Sequence, residues 1–185
     1  IRPLFPKGLF NDVIVIATAL SVEPDIQPEV LAMIGSSIAI SISDIPFAGP
    51  TGSVVVGIVD GEYVINPNEE QRAKSTLNLN LAGTKDAIMM VEAGSKEISD
   101  DEMVGAILFG HEEIKKQCAF QEEIVAAVGK PKLEMDLYHI PEDIDNAVRA
   151  FASDMLDKAL DTFDRHERQV GQDNVEKATL EHFAE

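Results

Sequence analysis

The sequence predicts an α+β fold followed by a small all-α domain, and three observations support this. Apolar residues between positions 54 and 92 follow the short runs and two-residue alternation typical of strands. From residue 99 onward they recur at the spacing of an amphipathic helix. After Pro141 the chain has no further proline and no strand pattern. The switch from strand to helical periodicity at Ser99 favours an α+β fold.

The first 52 residues are predicted to contain one strand and one helix. Residues 13–22 are mainly apolar and rich in β-branched side chains, which predicts a strand buried on both faces. Pro28 is well placed as the first residue of a helix over residues 28–43. Prolines and glycines between positions 46 and 52 then predict a turn-rich connector.

A small antiparallel meander is predicted next. A strand over residues 54–59 meets Asp60-Gly61, a strong two-residue hairpin signal, and returns over residues 62–66. Residues 66–75 are polar and predict a loop or short helix. Leucine alternates with asparagine over residues 76–81, which predicts a strand with one buried face. A turn at 82–84 and a last strand at 87–92 complete the meander.

The helical part begins with a clear start signal. Ser99, with Glu102 three residues later, forms a capping-box pattern, and the helix carries an apolar stripe that includes His111 and Cys118. Gly129 is expected to end this helix in a left-handed conformation before Pro131. Residues 129–139 then form a linker to an all-helical tail over residues 141–185. Within the tail a second helix is predicted at 174–184, and the largely buried residues are expected to be Phe151, Met155 and Leu156.

The composition limits the function. No uninterrupted apolar run reaches the roughly 20 residues of a membrane span, so no membrane partner is expected. A single cysteine among 185 residues excludes an intrachain disulfide framework and favours a reducing, cytoplasmic setting. The net charge of −18 repels phosphate backbones, so a nucleic-acid groove is expected mostly outside this chain.

The residues alone give no catalytic constellation. His111 lies on the apolar stripe, where a hydrogen-bonded core histidine is the simpler interpretation. Cys118 has no neighbouring base, and the histidines lack metal-ligand spacing. Asn78 and Asn80 form the polar face of a strand, for which a solvated face is the simpler interpretation. Arg2 is the best local candidate for an RNA or phosphate contact, although a plain surface charge is the simpler interpretation.

Seven motifs in order and spacing resemble one known family. They are I-R-P-L-F-P-K-G (1–8), V-I-A-T (15–18), A-M-I-G-S-S (32–37), I-P-F-A-G-P-T-G (45–52), D-G-E-Y-V-I-N-P (60–67), L-A-G-T-K-D-A-I-M-M-V-E (81–92) and F-G-H-E (109–112). Together they resemble the first of the two RNase PH-like halves of bacterial polynucleotide phosphorylases, over residues 1–130. The tail is similar to the helical domain that joins the two halves.

The resemblance implies a domain layout and an activity. Residues 1–52 would be the C-terminal part of the first RNase PH-like subdomain, residues 53–130 the complete second subdomain, and residues 140–185 the all-α linker domain. The opening residues, without Met or a targeting signature, likewise lead us to expect a piece of a larger protein. The implied activity is phosphate-dependent 3′-to-5′ degradation of RNA to nucleoside diphosphates, and polymerisation in reverse. The implied partners are RNA, inorganic phosphate, identical subunits in a homotrimer and other components of RNA-degradation complexes.

The sequence departs from the active pattern of the family at one strand. The catalytic half of the family carries a stretch similar to G-D-M-D-F-K-V-A-G, whose acids and lysine help to bind metal and phosphate. Here that stretch reads S-T-L-N-L-N-L-A-G, with Thr76 and Asn78 in place of the acids and Asn80 in place of the lysine. Neutral amides are weaker ligands for Mg²⁺ or Mn²⁺ than carboxylates are. The resemblance therefore implies a non-catalytic half, with its metal bound outside this chain. The alternative is a stand-alone structural or RNA-binding adaptor.

Overall fold

The computed structural model describes residues 1–184 and divides the chain into two compact units. The first covers residues 1–137 and the second begins at Tyr138. After a short 3₁₀ turn at Arg2–Leu4, the elements of the first unit are α1 (Pro28–Ile42), β1 (Gly52–Val59), β2 (Glu62–Ile65), α2 (Glu69–Lys74), β3 (Leu77–Gly83), β4 (Ile88–Ser95) and α3 (Asp100–Val128). The second unit contains α4 (Glu142–Leu160) and α5 (Arg165–His182).

The four strands form one antiparallel sheet in the order β2-β1-β3-β4. The hairpin signal is confirmed, because Asp60 and Gly61 both have positive φ and connect paired strands in the register Val59↔Glu62. The predicted strand at 76–81 is also confirmed, although β3 continues to Gly83. The turn therefore comes later than expected, at residues 84–87, where the Thr84 N–H donates to the Ala87 carbonyl at 2.9 Å.

The hydrophobic core lies between one face of the sheet and α3. Its buried apolar residues come from alternating positions of β1 and β3 and from one side of the helix: Val54, Val56, Ile58, Leu77, Leu79, Leu81, Ala106, Ile114 and Cys118. A side chain at Gly110 would place a Cβ 2.5 Å from Leu81 and 2.8 Å from Val56. The helix can approach the sheet closely because this position has no side chain.

The opposite face of the sheet is covered over β1 by α1. Ser37 Oγ accepts from the Thr51 N–H at 2.8 Å, and Ser53 Oγ lies 3.2 Å from Met33 Sδ. The cover does not extend across the sheet, since Asn78 on β3 and most of β4 are exposed. This uncovered part of the face carries the candidate site.

The strand predicted at residues 13–22 is absent. This segment has no regular secondary structure and no strand partner, and Ile14, Ile16 and Leu20 are 82, 83 and 94 % exposed. A strand needs neighbouring backbone groups for its hydrogen bonds, and no part of the described sheet reaches this segment. The apolar, β-branched pattern alone did not produce a strand here, so this prediction is wrong.

The end of α3 also differs from the prediction. Gly129 has φ −67° and ψ 149°, so it is extended rather than left-handed. The chain instead turns toward the end of α1, where the Lys130 N–H donates to the Ile42 carbonyl at 3.0 Å. The Lys132 ammonium donates to the carbonyls of Ile40, Ser41 and Ser43 at 2.7–3.1 Å. These bonds satisfy the last carbonyls of α1 with a cation, as a helix C-terminus favours.

The second unit is an all-helical pair, as expected, but it has a thinner core than the sequence suggested. α5 begins at Arg165, nine residues before the predicted start, because the Asp164 carboxylate caps the amides of His166 and Glu167 at 2.8 and 2.9 Å. No residue of α4 or α5 is fully buried. Phe151 and Met155 are half-buried, whereas Leu156 is 38 % exposed, so its predicted burial is wrong. Within residues 1–184, none of the helices has the length and apolar character required to cross a membrane.

Candidate functional site

The candidate strand β3 presents its polar residues on the uncovered face of the sheet. Strand alternation directs the three leucines into the core, at 0–2 % exposure, so the intervening asparagines lie on the other face. Asn78 pairs with Gly57 on β1 and with Gly94 on β4. Because both neighbours lack side chains, open space remains beside Asn78.

That space is a surface pocket of about 430 Å³. It is lined by Pro67, Arg72, Ser75, Thr76, Leu77, Asn78, Gly94, Ser95 and Lys96. Thr76 and Asn78 thus line the same pocket. Asn80 does not line this pocket and pairs instead with Val55 and Glu92.

A buried serine forms one wall of the pocket. Ser75 Oγ accepts from the Ile58 N–H at 3.0 Å and donates to the Leu77 carbonyl at 2.6 Å. A Cβ on Gly57 would lie 2.9 Å from this hydroxyl, so glycine is required opposite it. The junction between α2 and β3 is therefore fixed by hydrogen bonds inside the sheet rather than by loop packing.

Two basic side chains that the sequence analysis missed line the pocket. The Arg72 guanidinium donates to the carbonyls of Pro67 and Pro24 at 2.8 and 2.6 Å, and the Lys96 ammonium donates to the Ser75 carbonyl at 3.2 Å. In the sequence both residues look like ordinary surface charges. The available signal was the register of the β3–β4 pair, which brings Lys96 opposite Thr76. The backbone N–H of Lys96 donates to the Thr76 carbonyl at 2.9 Å.

The electrostatics of the pocket oppose a divalent metal. No carboxylate lines it, and within residues 1–184 no group of three or more His, Cys, Asp or Glu side chains could hold a metal ion. Mg²⁺ is normally bound through carboxylates, whereas this pocket offers neutral amide and hydroxyl oxygens beside two cations. The residues present therefore do not fit Mg²⁺ or Mn²⁺.

The candidate contact Arg2 lies apart from these residues. It lines a different pocket of about 510 Å³, together with Asp12 and Val13, and that pocket shares no residue with the one beside Asn78. The structure therefore does not bring Arg2 together with Thr76, Asn78 or Asn80.

The two other reactive side chains, His111 and Cys118, lie in packed parts of the fold. His111 Nε2 lies 3.0 Å from the Thr84 carbonyl, which ties α3 to the β3–β4 turn. Cys118 is fully buried, and this desolvation raises the pKa of its thiol. A neutral, enclosed thiol is a poor nucleophile.

Comparison with known proteins shows what this chain is similar to. Residues 49–113 match the family model described as 3′ exoribonuclease family, domain 2. The chain is 60 % identical over 183 residues to a polyribonucleotide nucleotidyltransferase of Clostridioides difficile, covering 99 % of this chain and 26 % of that protein. It is 51 % identical over 189 residues to the polyribonucleotide nucleotidyltransferase of Heliobacterium modesticaldum, covering 100 % of this chain and 27 % of that protein. The chain thus spans about a quarter of the length of these curated relatives.

A solved structure supports the fold. The crystal structure of rice (Oryza sativa) Rrp46 superposes with a TM-score of 0.50 at 15 % sequence identity, covering 57 % of this chain and 51 % of that chain. At this identity the likeness concerns the fold alone. Together with the family model, it confirms the predicted α+β, RNase PH-like architecture.

Proposed function

We propose a function from the premise that this chain corresponds, throughout its length, to one segment of the polyribonucleotide nucleotidyltransferases. In this proposal the chain is the non-catalytic half of a phosphate-dependent 3′-to-5′ exoribonuclease. The whole enzyme would degrade RNA to nucleoside diphosphates and polymerise RNA in the reverse direction.

One observation carries the non-catalytic assignment. The strand that would bind metal and phosphate in an active half carries Thr76, Asn78 and Asn80, and its pocket is lined by two cations and no carboxylate. Phosphoryl transfer develops charge on phosphate oxygens, which metal ions normally neutralise. A pocket that disfavours divalent metal cannot supply that stabilisation, so the chemistry is assigned to residues outside this chain, together with Mg²⁺ or Mn²⁺.

The remaining features of the assembly are part of the same proposal. The enzyme would work in the cytoplasm as a homotrimer on RNA and inorganic phosphate, with contacts to other RNA-degradation proteins. Residues 140–185 would join this half to the catalytic half, and Arg2 would be a further RNA or phosphate contact. The exposed apolar residues of the 13–22 segment are consistent with a surface that packs against further protein.

Turnover in the intact enzyme tests the assignment. Asn78→Ala should leave phosphorolysis close to wild type, because no reacting atom depends on this amide. The matched substitution is Asp→Ala at the corresponding strand of the other half, which should abolish most activity. A loss on the order of a thousand-fold for Asn78→Ala, the scale of a missing transition-state contact, would assign catalysis to this half instead.

The adaptor alternative predicts a different result. A stand-alone RNA-binding adaptor would retain affinity for RNA as the isolated chain, although its net charge of −18 opposes this. Gel-shift titration of the purified chain with single-stranded RNA should show no saturable complex at physiological salt. A tight complex without phosphate-dependent release of nucleoside diphosphate would favour the adaptor.

A further inference from the structure

We propose that the outer edge of β4 pairs with β4 of a second copy of this chain, which joins two four-stranded sheets across a two-fold axis at Val91. This interaction surface goes beyond the proposed enzyme. Its failure would leave the non-catalytic assignment unchanged, because no reacting group lies on this edge.

The outer edge of β4 has no strand partner within residues 1–184. β4 covers Ile88–Ser95, lies at the end of the sheet and pairs with β3 alone. The Lys96 N–H donates to the Thr76 carbonyl, so the even-numbered residues of β4 direct their N–H and C=O groups toward β3. The N–H and C=O groups of Val91 and Ala93 therefore point to the open edge, where another strand can bond to them.

This edge lacks the features that normally protect an exposed strand. Natural edge strands carry lysine, proline or inward-pointing charges that discourage pairing. Residues 88–95 contain no proline and no lysine, and Glu92 is their single charged residue. Met89, Met90 and Val91 are 40, 37 and 51 % exposed. An apolar strand with an open edge is a template for the addition of another strand.

One side of α3 adds an apolar wall beside this edge. Val91 pairs with Leu81, whose side chain is buried against α3, so Val91 points to the same side of the sheet. His111 on α3 contacts the β3–β4 turn, which directs that side of the helix toward β4. Val104 and Leu108 lie on the same side, within about two turns of His111, and are 55 and 62 % exposed. The apolar surface thus continues from the strand onto the helix.

A second copy fits this edge in one register. A two-fold axis perpendicular to the sheet keeps every side chain on its own face, so the axis must pass through a residue of β4. The overlap within Ile88–Ser95 is longest when that residue is Val91 or Glu92. An axis at Glu92 would place two carboxylates directly opposite each other, which is unfavourable. An axis at Val91 places Glu92 opposite Met90, so charge selects Val91.

The selected register also satisfies the backbone. Val91 faces Val91 of the second copy, and Ala93 faces Met89, so the outward N–H and C=O groups of Val91 and Ala93 meet partners. The joined sheet stays antiparallel, as all pairs within the chain are. The matching of one open edge with itself is the isologous contact typical of two-fold dimers.

Sedimentation of the purified chain tests the association. We expect a monomer–dimer equilibrium that strengthens with added salt, because screening weakens repulsion between two chains of net charge −18. Val91→Lys should raise the Kd of the dimer at least roughly tenfold, since it places two ammonium groups at the axis. Phe120→Lys is the matched control, because Phe120 is 60 % exposed on the side of α3 opposite His111 and gains the same charge. Circular dichroism checks that both variants fold.

Cysteine cross-linking tests the register. Under mild oxidation Val91→Cys should give disulfide-linked dimers, because directly paired residues lie within disulfide reach. Glu92→Cys should not, since its two copies are displaced along the strands. The native Cys118 is enclosed and should not contribute.

Three results with the purified chain would overturn the proposal. They are a monomer at every concentration, equal effects of Val91→Lys and Phe120→Lys, and cross-linking of Glu92→Cys in preference to Val91→Cys. Val91→Cys in the longer polypeptide should likewise link two subunits. Without that link, another segment of the polypeptide covers β4 in place of a second copy, and the proposal is wrong.

Discussion

The sheet of the first unit and the helical pair of the second contain similar apolar patterns but bury them very differently. Leu77, Leu79 and Leu81 are almost completely buried between the sheet and α3. In the helical pair, Phe151 and Met155 recur at equally regular spacing and are only half-buried. The difference lies in what covers the apolar residues. A sheet face covered by a 29-residue helix buries far more surface than two short helices bury against each other. An apolar pattern predicts which face seeks burial, and the available partner determines how much burial results.

A truncation in the sheet core should produce the largest effect. Leu79→Ala removes a fully buried side chain at the centre of β3 and leaves a cavity between the sheet and α3. The expected loss is about 3 kcal/mol, within the range of about 2–5 kcal/mol for such truncations. Because the chain has two units, the free energy should be measured by native-state hydrogen exchange at β1 and β3 amides rather than from one bulk transition. A loss below about 1 kcal/mol would show that this core is poorly packed.

A truncation in the helical pair should have a smaller effect. Phe151 stacks on the His182 ring at 4.0 Å and meets Phe183 edge-on at 5.8 Å. Phe151→Ala removes these contacts from a half-buried position, so a loss of about 1–2 kcal/mol is expected, less than for a fully buried aromatic residue. Exchange of α4 and α5 amides measures it, and β3 amides should be unchanged. A loss as large as that of Leu79→Ala would mean that the helical pair is more fully packed than its exposure indicates.

A pair of isoleucines sharpens the comparison further. Ile114 on α3 is fully buried, whereas Ile144 on α4 is 52 % exposed. Ile144→Asp should therefore cost less than about 1 kcal/mol, since surface substitutions rarely exceed this and an acid suits the first turn of a helix. Ile114→Asp, its matched control, should prevent stable folding of the first unit. Circular dichroism with hydrogen exchange distinguishes the two outcomes, and a large loss for Ile144→Asp would reveal a packed stripe.

The smallest effect is expected for chemical modification of Cys118 in the folded chain, which should be slow. Burial raises the pKa of the Cys118 thiol, so the reactive thiolate forms only at a higher pH than for an ordinary cysteine. The side chain is also enclosed. Alkylation with iodoacetamide at mildly alkaline pH should be slow and should accelerate in Leu79→Ala, in proportion to the population of open molecules. Rapid alkylation of the native chain would contradict the packing of α3 against the sheet.

Signals confined to a few neighbouring residues predicted the structure well. The Ser99–Glu102 capping box, the Asp60-Gly61 hairpin and the leucine alternation of β3 each depend on contacts between residues close in sequence. Predictions that needed a distant partner fared worse. The 13–22 segment has the composition of a strand but no neighbour in the sheet. The early start of α5 departs from this division, since Asp164 caps amides only two and three residues away and the apolar spacing did not reveal it.

The candidate site shows the same limit. Asn78 and Thr76 were identifiable because they interrupt a family pattern at one strand. Arg72 and Lys96 were not, since Arg72 lies on α2 and Lys96 follows β4, and only the folded sheet places both at one pocket. Whether two basic side chains line the same pocket depends on the tertiary fold. The linear sequence shows each one only as another charged residue.

The row of Gly57, Asn78 and Gly94 across three strands has a consequence for how this surface can evolve. A methyl group on Gly57 would collide with the hydroxyl of Ser75, so this glycine is fixed by packing. A methyl group on Gly94 would meet nothing, and alanine there should stabilise the strand by about 0.5–1 kcal/mol through reduced chain entropy. Folding alone would favour alanine at Gly94, and glycine there leaves the pocket open. A single substitution at this position could close the pocket in one lineage and leave the fold unaffected.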